Sequence, residues 1–254
     1  MQLEIKDLSF SYHNNPVLKN VSLTARTGDF ICILGENGAG KSTLLNCICR
    51  LLKAQKGDIC IGERSVNAYG NKEFARIVSF VPQNYNPVYE CSVADFLLMG
   101  RNPYKKLFCD LTFEDKRVVD EVLKAFSMEE FKNRSMNKLS GGERKKILLM
   151  RALVQETEVI VLDEPTNQLD FGMRNQFMDI LKDLADKGKI VIMTTHLPDD
   201  AINYSTKTII VSNKHTEVYP RDSLKVEVLE KLYSVNIEIL KGTRINKYAC
   251  VASE

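Results

Sequence analysis

Eight consecutive residues, Gly35-Glu-Asn-Gly-Ala-Gly-Lys-Ser42, have the spacing G-x-x-x-x-G-K-[ST]. That pattern suits phosphate. Glycines let the backbone turn until several amides point at one anion, and the positive end of the next helix points there too. Lys41 has the reach for β and γ phosphates, and the Ser42 hydroxyl is a ligand for Mg²⁺. A chance match in a chain this long is on the order of 10⁻². The competing reading is a glycine-rich turn that merely starts a helix. Context favours chemistry. The loop follows an apolar run, Phe30–Leu34, and opens a predicted helix from Lys41 to about Leu52 with Leu44, Leu45, Ile48, Leu51 and Leu52 on its apolar face.

Two further stretches have the residue types to work with it. Val159-Ile-Val-Leu162 runs into Asp163 and Glu164. Acids at the carboxyl end of a parallel strand lie where open α/β sheets bind ligands. Alone they read as ordinary loop acids. Beside a phosphate loop, Asp163 is suited to Mg²⁺ and Glu164 to polarising a water. Leu139-Ser-Gly-Gly-Glu143 opens another helix, with Ser140 and Glu143 spaced for a capping box. Two glycines in such a cap add entropy cost and no packing. They make sense where a ligand approaches the backbone.

The elements that must hold these residues follow from pattern and composition. The chain has 254 residues, 35 basic and 33 acidic side chains, and a formal charge of +2. That balance gives no electrostatic case for a nucleic-acid binder. Leu3–Phe10 and Val21–Ala25 alternate like half-solvated antiparallel strands. Phe30–Leu34, Val159–Leu162 and Ile190–Met193 read as fully buried strands. From about Ser92 to Gln155 the period becomes helical, with a capping box at Thr112–Asp115. The prediction is one α/β domain over 1–254 with a helical insertion at about 87–155.

The apolar runs are four or five residues long, far short of the roughly 20 a spanning helix needs. The amino-terminal residues lack the pattern of a signal peptide. Seven cysteines (32, 47, 49, 60, 91, 109 and 250) are scattered and form no Cys-x-x-Cys pair, so buried free thiols are expected. Arg144-Lys-Lys146 reads as a solvated helix face.

In this order the motifs resemble the nucleotide-binding subunit of an ATP-binding cassette (ABC) transporter, over nearly the whole chain. The resemblance implies a P-loop NTPase fold: an ABC ATPase core, an amino-terminal antiparallel β subdomain and an inserted α-helical subdomain. It implies ATP and Mg²⁺ as ligands. Gly35, Asn37, Gly38, Gly40, Lys41, Ser42 and Thr43 then cradle phosphate. Leu139–Glu143 is similar to the family signature Leu-Ser-Gly-Gly-Gln, with Glu in place of Gln. Val81-Pro-Gln83 is similar to the glutamine loop, and Thr195-His196 to the histidine switch. Asn167-Gln-Leu-Asp170 matches the loop after the catalytic acid only at Leu169 and Asp170. Tyr12 resembles the aromatic residue that stacks on adenine. Taken singly, His196 reads as a core histidine, Gln83 as a loop residue and Tyr12 as sheet-edge packing.

The resemblance further implies that two copies pair head to tail. Ser140, Gly141 and Gly142 of one copy then face the γ-phosphate held by Lys41 of the other. Mg²⁺ is held by Ser42, Gln83 and Asp163, and catalysis falls to Glu164, His196, Lys41 and Gln83. Transmembrane permease subunits, and indirectly a substrate-binding protein, are the other implied partners. They put the chain at the cytoplasmic face of the plasma membrane. Leu98-Met-Gly-Arg-Asn-Pro-Tyr104 with Leu107-Phe108, Leu139–Arg144, and the tail Tyr219–Leu224 with Tyr233–Ile239 resemble importers of iron-siderophore, haem or cobalamin. Zinc or manganese importers and soluble cassettes of cofactor or cluster assembly are the alternatives.

Overall fold

The computed structural model describes residues 1–85, 90–105, 112–212, 215–242 and 247–253. Leu107, Phe108 and Cys109 lie outside the described residues. Two sheets organise the chain. The first contains β1 (Gln2–Tyr12), β2 (Asn15–Arg26), β4 (Lys56–Ile61) and β5 (Arg64–Ser65) in the antiparallel order β2-β1-β4-β5. One face of β1 is buried at Leu3, Ile5, Leu8 and Phe10, as its alternation predicts.

The second sheet runs β10-β9-β3-β8-β7-β6. It is built from β3 (Phe30–Leu34), β6 (Val78–Val81), β7 (Val159–Leu162), β8 (Ile190–Thr194), β9 (Lys207–Ser212) and the antiparallel edge strand β10 (His215–Pro220). Its central strands read as unbroken apolar runs because both faces are covered. Phe30, Cys32 and Leu34 enter one core, and Ile31 and Ile33 enter the other. β7 and β8 split the same way.

The core that takes Ile31 and Ile33 joins the sheet to α1 (Lys41–Ile48) and the antiparallel strands. The core that takes Phe30, Cys32 and Leu34 holds α3 (Val93–Leu98), α4 (Phe113–Ala125), α5 (Gly141–Val154) and α6 (Phe171–Asp186). The short α2 (Asn71–Ala75) precedes β6, and α7 (Pro198–Tyr204) follows β8. The chain ends in α8 (Val226–Tyr233) and the hairpin β11 (Asn236–Lys241) with β12 (Tyr248–Ser253). Among the described residues no helix is long and apolar enough to cross a membrane.

Three expectations need correction. α1 stops at Ile48 rather than near Leu52. Arg50 takes a left-handed backbone (φ 59), and the Leu51 and Leu52 amides turn back to the Asn46 carbonyl. Leu51 is therefore 62% exposed instead of packed on the apolar face. Of the six described cysteines, all free, only Cys32 and Cys47 are buried. The basic run Arg144–Lys146 is half-buried, and the Lys145 ammonium donates to the Asn167 carbonyl. Its register puts this lysine beside the turn that follows Glu164.

The stretch Leu98–Tyr104 is explained by packing. A methyl group at Gly100 would meet the Arg151 carbonyl oxygen at 2.6 Å, so the 3-10 turn Met99–Arg101 that follows α3 packs too closely on α5 for any side chain there. Arg101 is buried and donates to Asp115 of α4 at 2.9 Å and to the Val154 carbonyl of α5 at 2.8 Å. Asp115 in turn closes the α4 capping box with Thr112. One guanidinium thus ties three helices together.

Candidate active site

The turn between β3 and α1 is shaped by two glycines with different reasons. Gly40 precedes α1 at φ 108, a region that disfavours side chains. At Gly35 a methyl group would sit 2.4 Å from the Val211 carbonyl of β9, so the neighbouring strand excludes one. No side chain caps α1, which leaves its first-turn amides free for an anion. The Lys41 ammonium folds back over the loop, donating to the Gly35 carbonyl at 2.8 Å and the Glu36 carbonyl at 3.0 Å. Burial lowers its pKa, against the opposing pull of Glu164 and Asp163.

The acids stand across from it. Asp163 is buried, and its Oδ1 accepts hydrogen bonds from the Ser42 hydroxyl at 3.1 Å and the Thr194 hydroxyl at 2.6 Å. A buried carboxylate beside a serine hydroxyl is a hard oxygen set of the kind Mg²⁺ takes. Glu164 leaves β7 with a left-handed backbone, φ 44. A non-glycine residue there costs about 1–3 kcal/mol unless its surroundings hold it. They do. Its amide donates to Thr194 Oγ1 at 2.8 Å. Its carboxylate accepts from the Gln83 amide at 2.6 Å and the Asn167 amide at 3.3 Å, and lies 4.0 Å from Lys41 Nζ. Four groups thus aim one carboxylate at the mouth of the phosphate loop.

A cleft of about 920 Å³ collects these residues. Of the residues predicted for the site, Tyr12, Gly35, Asn37, Gly38, Gly40, Lys41, Ser42, Thr43, Gln83, Glu164 and His196 line it. Asp163 sits beneath, hydrogen-bonded to Ser42. Val17, Glu36, Asn167 and Tyr233 also line it and were not among the predicted residues. Asn167 and Thr194 each follow or precede a recognised motif residue, so adjacency was their only signal in the sequence. Tyr12 is 46% exposed, open on its outer side to a flat ligand.

Four predicted residues are elsewhere. Ser140 caps α5, accepting from the Glu143 amide at 3.3 Å, while its own amide donates to the Glu143 carboxylate at 2.7 Å. Those hydrogen bonds hold the Glu143 carboxyl below its usual range. Gly141 is open to solvent, with room for a side chain. At Gly142 a methyl group would meet the flexible end of the Met173 side chain at 2.6 Å, which would have to swing aside. Asp170 is exposed and caps α6 through the Met173 amide at 2.9 Å. None of these four touches the cleft of its own chain.

Comparison with known proteins identifies the family and the fold. The ABC transporter family profile matches residues 18–167. An uncharacterised ABC transporter ATP-binding protein of Methanocaldococcus jannaschii is 36% identical, over 95% of this chain and 96% of that protein. The hemin import ATP-binding protein of Thermobifida fusca is 31% identical, over 95% and 85%. Among solved structures, an inward-facing transporter described as of the metal-chelate ABC type superposes with a TM-score of 0.87 at 27% identity, covering 99% of this chain and 97% of that one. A dimeric structure of a bacterial ABC transporter cassette superposes with a TM-score of 0.75 at 27% identity, covering 86% and 98%.

Proposed function

The chain belongs to the ABC transporter family as an ATP-binding cassette ATPase, and from that premise we propose that it powers an importer of a metal-chelate cargo: an iron-siderophore, haem or cobalamin. The haem-import relative and the metal-chelate structural neighbour support that class of cargo. The observation that carries the ATPase role is the carboxylate of Glu164, oriented by Gln83, Asn167 and Lys41 at one cleft.

In this reading Tyr12 takes the adenine and the amides around Gly38 and Gly40 take the phosphates. Lys41 exchanges its loop carbonyls for β and γ oxygens. Ser42, Gln83 and Asp163 hold Mg²⁺, which neutralises phosphate charge. Glu164 holds the attacking water in line, and His196 adds charge near the γ-phosphate. Phosphoryl transfer needs such positioning and neutralisation more than a strong base. Ser140, Gly141 and Gly142, with Asp170, complete the site on a second copy, so that ATP joins two chains across a two-fold axis. The dimeric cassette neighbour supports pairing of this kind. The single domain, with its helical subdomain over about 87–155, then docks on separate permease subunits. They hold it at the cytoplasmic face of the plasma membrane and link it, indirectly, to a substrate-binding protein on the other side.

Glu164→Gln tests the site. ATP binding is retained, turnover falls by about a hundred- to ten-thousand-fold, and an ATP-dependent dimer accumulates in light scattering. Turnover near that of the unmodified chain overturns the assignment. Co-purification with a multi-span membrane protein supports the importer. A stable complex with soluble partners alone overturns it in favour of cofactor assembly.

A further inference from the structure

One wall of the cleft comes from neither the phosphate loop nor the acid strand. Tyr233, the last residue of α8, lines it, and its hydroxyl donates to the His196 main-chain oxygen at 2.9 Å. Its position is set independently of that bond. Leu229 and Leu232 of the same helix are buried in the core shared with α5 and α6. The turn beyond closes through Ser234, in a left-handed backbone, and the Ile237 amide donates to the Glu230 carboxylate at 2.9 Å. Burial keeps the phenol above its usual pKa, so it stays a donor at neutral pH.

The opposite flank of the histidine turn is held as firmly. The Thr195 hydroxyl donates to Asp200 at 2.8 Å and accepts from the Leu197 amide at 3.1 Å. Asp200 is buried and paired with Arg174 of α6. The exposed His196 side chain therefore stands on a turn gripped from α6 and α7 on one side and from α8 on the other.

We propose that Tyr233 is a positioning residue for ATP hydrolysis: it fixes the His196 carbonyl, and so the imidazole over the cleft, and makes the carboxy-terminal segment part of the site. The proposal rests on the role given to His196 above. The tail motif that begins at Tyr233 thereby gains a physical task.

The test uses the full-length chain as Tyr233→Phe, His196→Ala and the double variant, with ATPase kinetics and melting temperature measured on each. Phe keeps the ring and deletes one hydrogen bond. Tyr233→Phe is expected to lower kcat about two- to tenfold, leave KM for ATP within about twofold and melt like the unmodified chain. In the His196→Ala background the same change is expected to have no effect, because the two act as one unit. A His196→Ala chain at full rate overturns the role of His196 and this proposal with it. A slowed His196→Ala chain beside an unimpaired Tyr233→Phe chain overturns the proposal alone, as does a Tyr233→Phe loss that persists in full without His196. Glu230→Ala removes the acceptor of the Ile237 amide and loosens the end of α8 without touching the hydroxyl. An equal loss of kcat there assigns the effect to the helix and also overturns the proposal.

Discussion

Two glycine-bearing helix starts face opposite fates in this chain. At α1 no side chain caps the amides, and the lysine that follows is buried over its own loop. At α5 a serine and a glutamate satisfy each other's amides, and the turn lies outside the cleft. The first start leaves its amides without a side-chain cap, open to an anion. At the second the box takes up the Ser140 and Glu143 amides, and among the described hydrogen bonds none takes up those of Gly141 and Gly142, which in the proposed pairing are left for a phosphate from another copy. In the proposed pairing the α1 turn of one chain holds nucleotide, the α5 turn of the other adds affinity between chains, and hydrolysis takes two copies.

The largest effect that follows is at α1. Lys41→Ala removes the buried cation and is expected to weaken ATP binding roughly a thousandfold, about 4 kcal/mol, by calorimetry on the isolated chain. Tight ATP binding by that variant would erase the distinction between the two turns. Next is the support of α5. Arg101→Met leaves Asp115 buried without its partner, and is expected to cost about 3 kcal/mol of stability, read by chemical denaturation. ATP affinity of the remaining folded protein is expected to stay unchanged, since Arg101 supports α5 and does not touch the cleft.

Ser140→Ala is the sharper comparison. It deletes the α5 cap, worth about 1 kcal/mol, and is expected to leave ATP affinity of the single chain intact while abolishing ATP-driven pairing in light scattering. A loss of monomer affinity instead would place the α5 turn in its own chain's site. The smallest effect is pH-dependent. The Glu143 carboxyl titrates below its usual range because it accepts from Ser140. Its contribution is therefore present above the ordinary glutamate pKa of about 4.3 and lost as pH falls through the lower folded value. Protection of the Ser140 amide, measured against its intrinsic exchange rate at each pH, is expected to fall there, while the amides of the α1 turn, which no carboxylate caps, do not follow.

Much of this was legible from residue types alone. The spacing of Gly35–Ser42 and the acids ending Val159–Glu164 specify chemistry that few other patterns serve, and the apolar runs between them announce strands covered on both faces. The capping boxes at Thr112 and Ser140 were equally readable, since each is a local contact within four residues. What escaped was set by partners far along the chain. The end of α1 depends on a left-handed Arg50 that no turn residue marks. Gly100 looked like part of a family pattern, and its reason is the Arg151 carbonyl on another helix. Lys145 looked solvated until the turn after Glu164 came to rest on it.

Local order and residue chemistry decided which atoms meet phosphate, because phosphate recognition is built from consecutive amides and one adjacent lysine. Convergence of Gln83, Asn167 and Thr194 on the acid pair, and of Tyr233 on His196, was decided by the parallel sheet and the docked carboxy-terminal helix. Those contacts span up to 81 positions, from Gln83 to Glu164. Hydrogen bonds act over about 3 Å, so such groups meet only after burial of the strands has brought their ends together.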